Sequence, residues 1–405
     1  MTGTEPTLDD YRPLAPAGTI DFLRRLSERV RRRRLLNVSA SREIGGVAEI
    51  LRGLVPLLEE VGVESAWETL DGDGAAATIG ARLHHALQGG EERVPDELFA
   101  EFRAFTRARA AAVDATADMV VTHDALAAGL VEARPQEGVW VWRCHLDVSH
   151  PQRRAWTFLR QYVIKYDAAV FSLPAFAQRL PIPQFMIYPA IDPLGDKNRE
   201  LPEREIDAIL QRLGVPRDKP ILLQVGRFDR FKDPLGVIEA YRLVKRQHDC
   251  RLVLVGGAES DEPEGVELSG EVHEAASRDA DLHVLQLRPS QRVEVNALQR
   301  AATIVLQKST REGFGLGVAE AMWKSKPVIG GFAGGITAQV VYGVTGFTVN
   351  SVEGAAFRAR QLLADPGLRE RIGAAGREHV RQHFLLTRHL GDMLALMATL
   401  APVRS

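Results

Sequence analysis

At 405 residues the chain is too long for one ordinary hydrophobic core, so two domains are expected. With 51 Lys+Arg against 53 Asp+Glu its formal net charge is −2, no basic excess to argue for nucleic acid, and no run of 18 apolar residues could span a bilayer. The only cysteines, Cys144 and Cys250, lie far apart without zinc or redox spacing; with Asp9 and Asp10 early and no apolar signal core, secretion is not expected and a reduced cytoplasm fits.

Residues 1–19 carry three prolines and read as a loose arm. An arginine-rich helix is expected from about Asp21 to Arg34, closing on Arg31-Arg32-Arg33-Arg34, a solvated face rather than a polyanion site. Leu35–Ser39 is a short strand candidate. Ser41 to Leu51 then makes a strand–glycine–helix transition in which Gly45-Gly46 would let backbone approach a ligand, though a tight turn explains the pair equally well. His84 and His85, adjacent on a helix, point to different faces and do not share a metal. Residues 96–113 form an amphipathic helix. Two strands follow, 117–124 and 138–147, and their polar residues gather at the carboxyl ends: His123-Asp124 on one, Arg143, His145 and Asp147 on the other. Ligands of open parallel sheets sit beyond those ends, although either histidine alone could be structural. Asp167–Ser172 is a further strand, and Pro174 opens a helix. Pro181, Pro183, Pro189 and Pro193 punctuate a segment with no period, which reads as the inter-domain linker ending near Gly195.

The second half opens with a buried strand, Ile221–Val225, followed by Gly226, Arg227 and Lys232, two cations suited to a diphosphate. A helix over 233–246 and strands at 251–257 and 281–287 continue the alternation. The apolar run 302–306 then leads into Ser309-Thr310-Arg311-Glu312-Gly313-Phe314-Gly315-Leu316-Gly317, and good helix formers extend to Lys324. A strand, a glycine-rich turn and a helix start make a site for an anion, phosphate being the obvious candidate. Glu312 and Glu320 frame that turn with seven residues between them. They are either a loop residue and a dipole-compensating acid, or acceptors for sugar hydroxyls on each side of a phosphate cradle. A third glycine turn, Gly334-Gly335-Ile336, follows another strand, and the pattern is that of a doubly wound α/β sheet. From Ala355 onward the chain is helical and expected to be exposed; His379 and His383, four apart, lack a third metal ligand. Gly45-Gly46 lacks the spacing of a nicotinamide fingerprint.

Together Gly45-Gly46, His145, Gly226-Arg227…Lys232, Glu312…Glu320 and Gly334-Gly335-Ile336 resemble the retaining sugar-nucleotide glycosyltransferases of GT-B architecture. Longer strings are similar to the trehalose glycosyltransferring synthase group and its phosphorylase relatives: Ile44–Leu51, Val141-Trp142-Arg143-Cys144-His145, Asp229…Lys232–Ile238, Val295–Ala301 and Lys308–Leu316. The resemblance spans roughly residues 35 to 395. It implies two Rossmann-like domains facing a cleft, an acceptor-side domain over 1–192 joined by a last helix at about 385–405, and a nucleotide-sugar domain over 193–384. It further implies transfer of glucose from a nucleoside-diphosphate glucose to free glucose, giving α,α-trehalose with retention. Arg227 and Lys232 would stabilise the leaving diphosphate, Glu312 would bind the transferred sugar and Glu320 the ribose. Gly45, Gly46, Gly226 and the Gly313, Phe314, Gly315 and Leu316 turn would line the nucleotide, with the base near Leu287. His145 would hold the donor sugar, and Asp124, Asp147 and Arg143 the acceptor. No cofactor is obligatory, Mg2+ at most stimulating, no metal site is implied, and a homodimer is compatible. The alternatives are phosphorolysis of trehalose on the same scaffold, although those relatives are longer, and a related retaining glucosyltransferase with a different acceptor. Two segments depart from the family pattern, Ala125-Leu126-Ala127-Ala128 after His123-Asp124 and the stretch from Gly72 to Gly80, both on the acceptor side.

Overall fold

The structure, a computed structural model, describes residues 6–43, 45–70, 74–91, 93–257 and 263–401. Ile44 and Gly72, quoted above, lie outside them. The chain divides into two compact units, Met1–Asp192 with Leu385–Ser405, and Pro193–Phe384.

In the first unit six strands form one parallel sheet: β1 (Arg34–Ser39), β2 (Glu64–Thr69), β3 (Met119–His123), β4 (Val139–Cys144), β5 (Ala168–Phe171) and β6 (Gln184–Met186), in the order β2-β1-β3-β4-β5-β6. Helices α1 (Thr19–Ser27), α2 (Gly45–Glu60), α3 (Gly74–Leu87), α4 (Asp96–Ala110), the single turn α5 (Asp124–Ala127) and α6 (Arg153–Val163) fill the connections. The central strands read as near-continuous apolar runs because both faces are covered; all five residues of β3 are buried.

Several expectations are corrected here. The arginine-rich helix stops at Ser27, where i→i+3 bonds (Arg29 N to Leu26 O, 3.2 Å; Val30 N to Ser27 O, 2.9 Å) tighten the chain. Arg32 then enters the left-handed region (φ 63°) with its N–H donated to Gly62 O, so the arginines line a turn into β1. Pro174 opens only a three-residue 3₁₀ turn. Part of the proline-rich linker is β6, an edge strand whose three residues are too few to show a period; Pro183 enters its ladder only as an acceptor, from Ala169 N at 2.9 Å, and Pro189 lies outside it.

The second unit repeats the plan with β7 (Ile221–Val225), β8 (Arg251–Gly257), β9 (Leu282–Leu287), β10 (Ile304–Gln307), β11 (Val328–Gly331) and β12 (Gly346–Val349), all parallel in the order β12-β11-β10-β7-β8-β9. Its helices are α7 (Glu203–Arg212), α8 (Pro234–Lys245), α9 (Pro263–Ala276), α10 (Arg292–Ala301), α11 (Leu316–Trp323), the single turn α12 (Ile336–Gln339), α13 (Val352–Ala364) and α14 (Pro366–His383). Tyr241, Leu252, Leu254, Ile304, Ile329 and Ala356 belong to a core that joins the sheet to its helices. The last helix, α15 (Leu386–Leu400), belongs to the first unit and packs on α1 and α2. The resemblance places it there, whereas the expectation of an exposed C-terminal part does not hold for it: Leu386, Leu390, Met393, Leu394 and Met397 are buried.

Strand order fixes where each unit can receive a ligand. The order reverses between β1 and β3 in the first sheet and between β7 and β10 in the second. At such switch points the two connections leave in opposite directions and open a crevice beyond the carboxyl ends.

Candidate active site

The second unit's switch point carries the denser chemistry. After β7 come Gly226 and Arg227, then a 3₁₀ turn, Arg230–Lys232, held by Asp229 accepting from Phe231 N at 2.7 Å. After β10 the loop reaches Glu312, and Lys232 Nζ donates to Glu312 Oε2 at 2.5 Å. Ser309 Oγ donates to the same oxygen at 3.0 Å, and Gln307 Nε2 to Ser309 Oγ at 3.2 Å. Glu312 is 8% exposed, which removes its reading as an exposed loop residue. A carboxylate this buried needs a cation and donors to offset its lost hydration, and it has them. Arg227 is exposed and pairs with Asp229 at 3.4 Å.

The glycine turn that follows is shaped by close approaches. Gly315 sits at φ +83° as the residue before α11, where a side chain would be strained and a Cβ would meet Glu312 Cγ at 3.1 Å. Gly335 N donates to Glu312 O at 3.1 Å, and a Cβ on Gly335 would lie 2.2 Å from Phe314 Cα. Buried Gln339 donates to Phe314 O at 2.5 Å. The turns at 313–315 and 334–335 are therefore clasped together, and the leading amides of α11, which have no intrahelical acceptor, open beside Glu312.

Glu320, in the second turn of α11, is 3% exposed. Gln299 Nε2 donates to its Oε2 at 3.2 Å, and Lys197 Nζ stands 3.8 Å from Oε1. Behind them Lys324 Nζ donates to Gln299 Oε1 (2.8 Å), Asn198 Oδ1 (2.8 Å) and Glu320 O (3.1 Å). Because Lys324 needs an acceptor, it turns the Gln299 oxygen toward itself and the amide NH2 toward Glu320. Burial brings the Lys324 ammonium down to about 7, against the pull of Glu320. Leu287, at the end of β9, is buried.

In the first unit, Gly45 begins α2 at φ +91° with open space around it, and Gly46 follows in the first turn. His145, just beyond β4, is half-buried. Its Nε2 meets His123 Nδ1 at 2.9 Å, and His123 Nε2 meets Asn37 Oδ1 at 3.2 Å. Asp124, at φ 59°, accepts His145 N at 2.7 Å, and its carboxyl is pushed up to about 6 by burial. Asp147 accepts from Ser149 N at 3.0 Å and Ser149 Oγ at 2.5 Å. Arg143 is enclosed at 1% exposure and donates to Ile187 O at 2.9 Å, while Nε and Nη1 find no acceptor among the described residues. Burial first, and Arg388 next, bring its guanidinium down to about 10. Burial and the Arg143 charge hold His123 down to about 3 and His145 well below the usual imidazole range.

The second unit thus assembles Gly226, Lys232, Glu312 and the 313–316 turn, with Glu320 on the same helix; the first gathers Asp124, Arg143 and His145. Sequence reading did not single out Asn37, Gln299, Ser309, Lys324 or Gln339 for a role. Lys324, four residues after Glu320, Ser309, within the glycine-turn string, and Gln299, within the Val295–Ala301 string, carried a local signal; Asn37 and Gln339 did not. His379, expected at the surface, is half-buried against Phe384. Among the described residues no three His, Cys, Asp or Glu side chains gather to hold a metal ion.

Residues 37–178 match the pattern of the trehalose synthase N-terminal domain, and residues 205–379 that of glycosyl transferases group 1. The chain is 39% identical to a trehalose synthase of Pyrococcus horikoshii over 97% of its own length and 96% of that protein. The chain belongs to the trehalose synthase family. A second family member, from Rubrobacter xylanophilus, is 38% identical over 98% of this chain and 97% of its own. Among solved structures, the sucrose-phosphate synthase of Thermosynechococcus elongatus superimposes with a TM-score of 0.71 at 21% identity, covering 90% of this chain and 98% of that one. That likeness shows the fold, GT-B, and the family makes the chain a glycosyltransferase. No helix among the described residues is long and apolar enough to cross a membrane.

Proposed function

We propose that the chain moves glucose, with retention, from a nucleoside-diphosphate glucose to free glucose and releases α,α-trehalose and the nucleoside diphosphate. The observation that carries this reading is the convergence of Lys232, Glu312 and the clasped glycine turns on the β7/β10 switch point. The C1–O bond to the diphosphate breaks, C1 bonds to the acceptor hydroxyl oxygen, and the hydroxyl proton passes to the departing phosphate oxygen on the same face. No carboxylate acts as nucleophile, so the two-acid spacing of glycosidases does not apply.

Lys232 and Arg227 stabilise charge on the leaving diphosphate, where electrostatic help is worth most, and the 313–316 amides add donors. Lys232 must then be shared between the donor and Glu312; Glu312 Oε1 is assigned to a hydroxyl of the transferred sugar and Glu320 to the ribose. Gly226 keeps the β7 exit open to the diphosphate, Gly45-Gly46 contributes backbone donors, and the end of β9 at Leu287 receives the base. His145 holds the donor sugar, and the acceptor meets the carboxyl edge of the first sheet at Asp124 and Asp147, with Arg143 acting through its field. Both cysteines are buried and free, in keeping with a cytoplasmic setting.

The test is incubation with glucose and a panel of nucleoside-diphosphate sugars, identifying the disaccharide and following release of nucleoside diphosphate. Release of glucose 1-phosphate from trehalose and inorganic phosphate, without transfer from any sugar nucleotide, would replace the synthase reading by phosphorolysis. Unchanged turnover in Lys232→Ala would remove the leaving-group assignment.

A further inference from the structure

The line Asn37–His123–His145, buried at its first two members and half-buried at the last, runs through three segments distant in sequence. Asn37 lies fully buried in β1, His123 ends β3 at 5% exposure, and His145 follows β4. The two imidazoles lie 21° from parallel with centroids 5.2 Å apart, and their nitrogens meet at 2.9 Å. Asp124 fixes the His145 backbone from the other side. Each contact between neutral groups carries one proton, so the orientation at one end dictates the state at the other. The Asn37 amide turns Oδ1 toward His123, while its Nδ2 finds no acceptor among the described residues.

We infer that Asn37 and His123 are positioning residues that fix the tautomer of His145, so that His145 presents an unprotonated Nδ1 as acceptor for a sugar hydroxyl. His123 Nε2–H donates to Asn37 Oδ1, which leaves His123 Nδ1 as acceptor for His145 Nε2–H. Only Nδ1 of His145 remains for a ligand, and it can only accept. The charged and titratable groups around the line favour the neutral state: Arg143 on β4 is a buried cation beside both rings, and His389 on α15 is held neutral, its Nδ1 donating to Tyr188 O at 2.9 Å. Of the acids around the line, Asp124 gives its carboxylate to the His145 amide, Asp147 is taken up by Ser149, and Asp392 acts on Arg143 and pairs with Arg388. The outer partner of a functional histidine typically sets tautomer and ring orientation together. The inference rests on His145 touching substrate.

The tautomer can be read without any turnover. The full-length protein labelled with 15N-histidine, with His145→Gln supplying the assignment, should show His145 protonated at Nε2 and bare at Nδ1; a proton on Nδ1 overturns the inference. Kinetics give the second arm. Asn37→Leu removes the terminal acceptor and should lower kcat/KM about 10–100-fold at every pH. Asn37→Asp keeps an acceptor and adds a charge that favours imidazolium. It should retain activity to within a few-fold in mild alkali and lose it on an acid limb about one pH unit or more above the wild type. If Asn37→Asp is as impaired as Asn37→Leu at all pH values, Asn37 acts as a donor and the proton order is reversed. Wild-type kinetics in Asn37→Leu would equally sink the idea. A wild-type protein that transfers no glucose defeats the functional reading while leaving the nitrogen spectrum to decide the tautomer.

Discussion

Replacing Gly335 by alanine adds one methyl group at the clasp between the two glycine turns. The residue's own backbone, φ −64°, suits alanine, so the effect is steric rather than conformational. The new Cβ would stand 2.2 Å from Phe314 Cα, 2.6 Å from Phe314 O and 2.8 Å from Gly313 O. Backbone cannot swing aside as a side chain does, so one turn must retreat by about 1 Å. Overpacking of this kind costs about 1–3 kcal/mol. Functionally, the retreat lengthens the Gly335 N to Glu312 O bond and moves the leading amides of α11, and a misplacement of about 1 Å is worth roughly 100-fold in rate. We expect kcat/KM for the sugar nucleotide to fall about 100-fold while Tm drops by only a few degrees. Gly270→Ala is the control: Gly270 lies in α9 with nothing within 4 Å of an added Cβ, so it should gain about 0.5–1 kcal/mol and leave the rate unchanged. A Gly335→Ala enzyme within about threefold of wild-type kcat/KM would refute the claim that the clasp sets the site.

Three further outcomes follow from the same geometry. Asp233, at φ 49°, caps α8 through Gly236 N (3.1 Å) and pairs with Lys308; Asp233→Ala loses a cap and takes on left-handed strain, about 2–3 kcal/mol in a urea titration, and Asp233→Asn should recover part of it. Lys324→Met frees the Gln299 amide to turn away from Glu320 and should raise the donor KM about tenfold with a smaller change in kcat; an unchanged donor KM would detach Lys324 from the site. In acid, His123 is depressed from 6.5 to about 3, so its stability is fully present above pH 6.5 and is lost as pH falls toward 3, about 5 kcal/mol at 1.36 kcal/mol per unit. His145 and His389 add loss of the same sign, and Asp124, raised to about 6, returns about 3 kcal/mol as it protonates between pH 6 and 4. Stability should therefore fall below pH 6.5 in denaturant titrations, with a shallower slope in His123→Gln.

What the sequence disclosed was what neighbouring residues decide. The apolar run 302–306, the glycines at 313, 315 and 317 and the helix formers up to Lys324 lie within a few residues of one another, so strand, turn and helix start are all written locally. The arginine-rich helix was misread because its end depends on Arg32 reaching Gly62 O, thirty residues on, and that bond belongs to β2 finding its place beside β1. The sixth strand escaped because β6 is defined by pairing with β5 and by nothing in its three residues.

The same division separates the two layers of the site. Glu312 and Glu320 announce themselves by spacing, but what each carboxylate can do is set by partners from other segments: Lys232, eighty positions before Glu312, and Gln299, twenty-one before Glu320. These partners converge because the chain enters the sheet at β7, builds β8 and β9 on one side, and crosses back to lay β10 on the other. The crossing brings the exits of β7 and β10 together, so the loop bearing Lys232 and the loop bearing Glu312 become neighbours, tied by Thr310 N donating to Phe231 O at 2.8 Å. Had β10 joined the far edge beside β9, Lys232 and Glu312 would lie three strands apart, about 14 Å at the usual strand spacing, and neither could neutralise the other. The chemistry of the pair is thus a consequence of strand order, and strand order is what local patterns leave open.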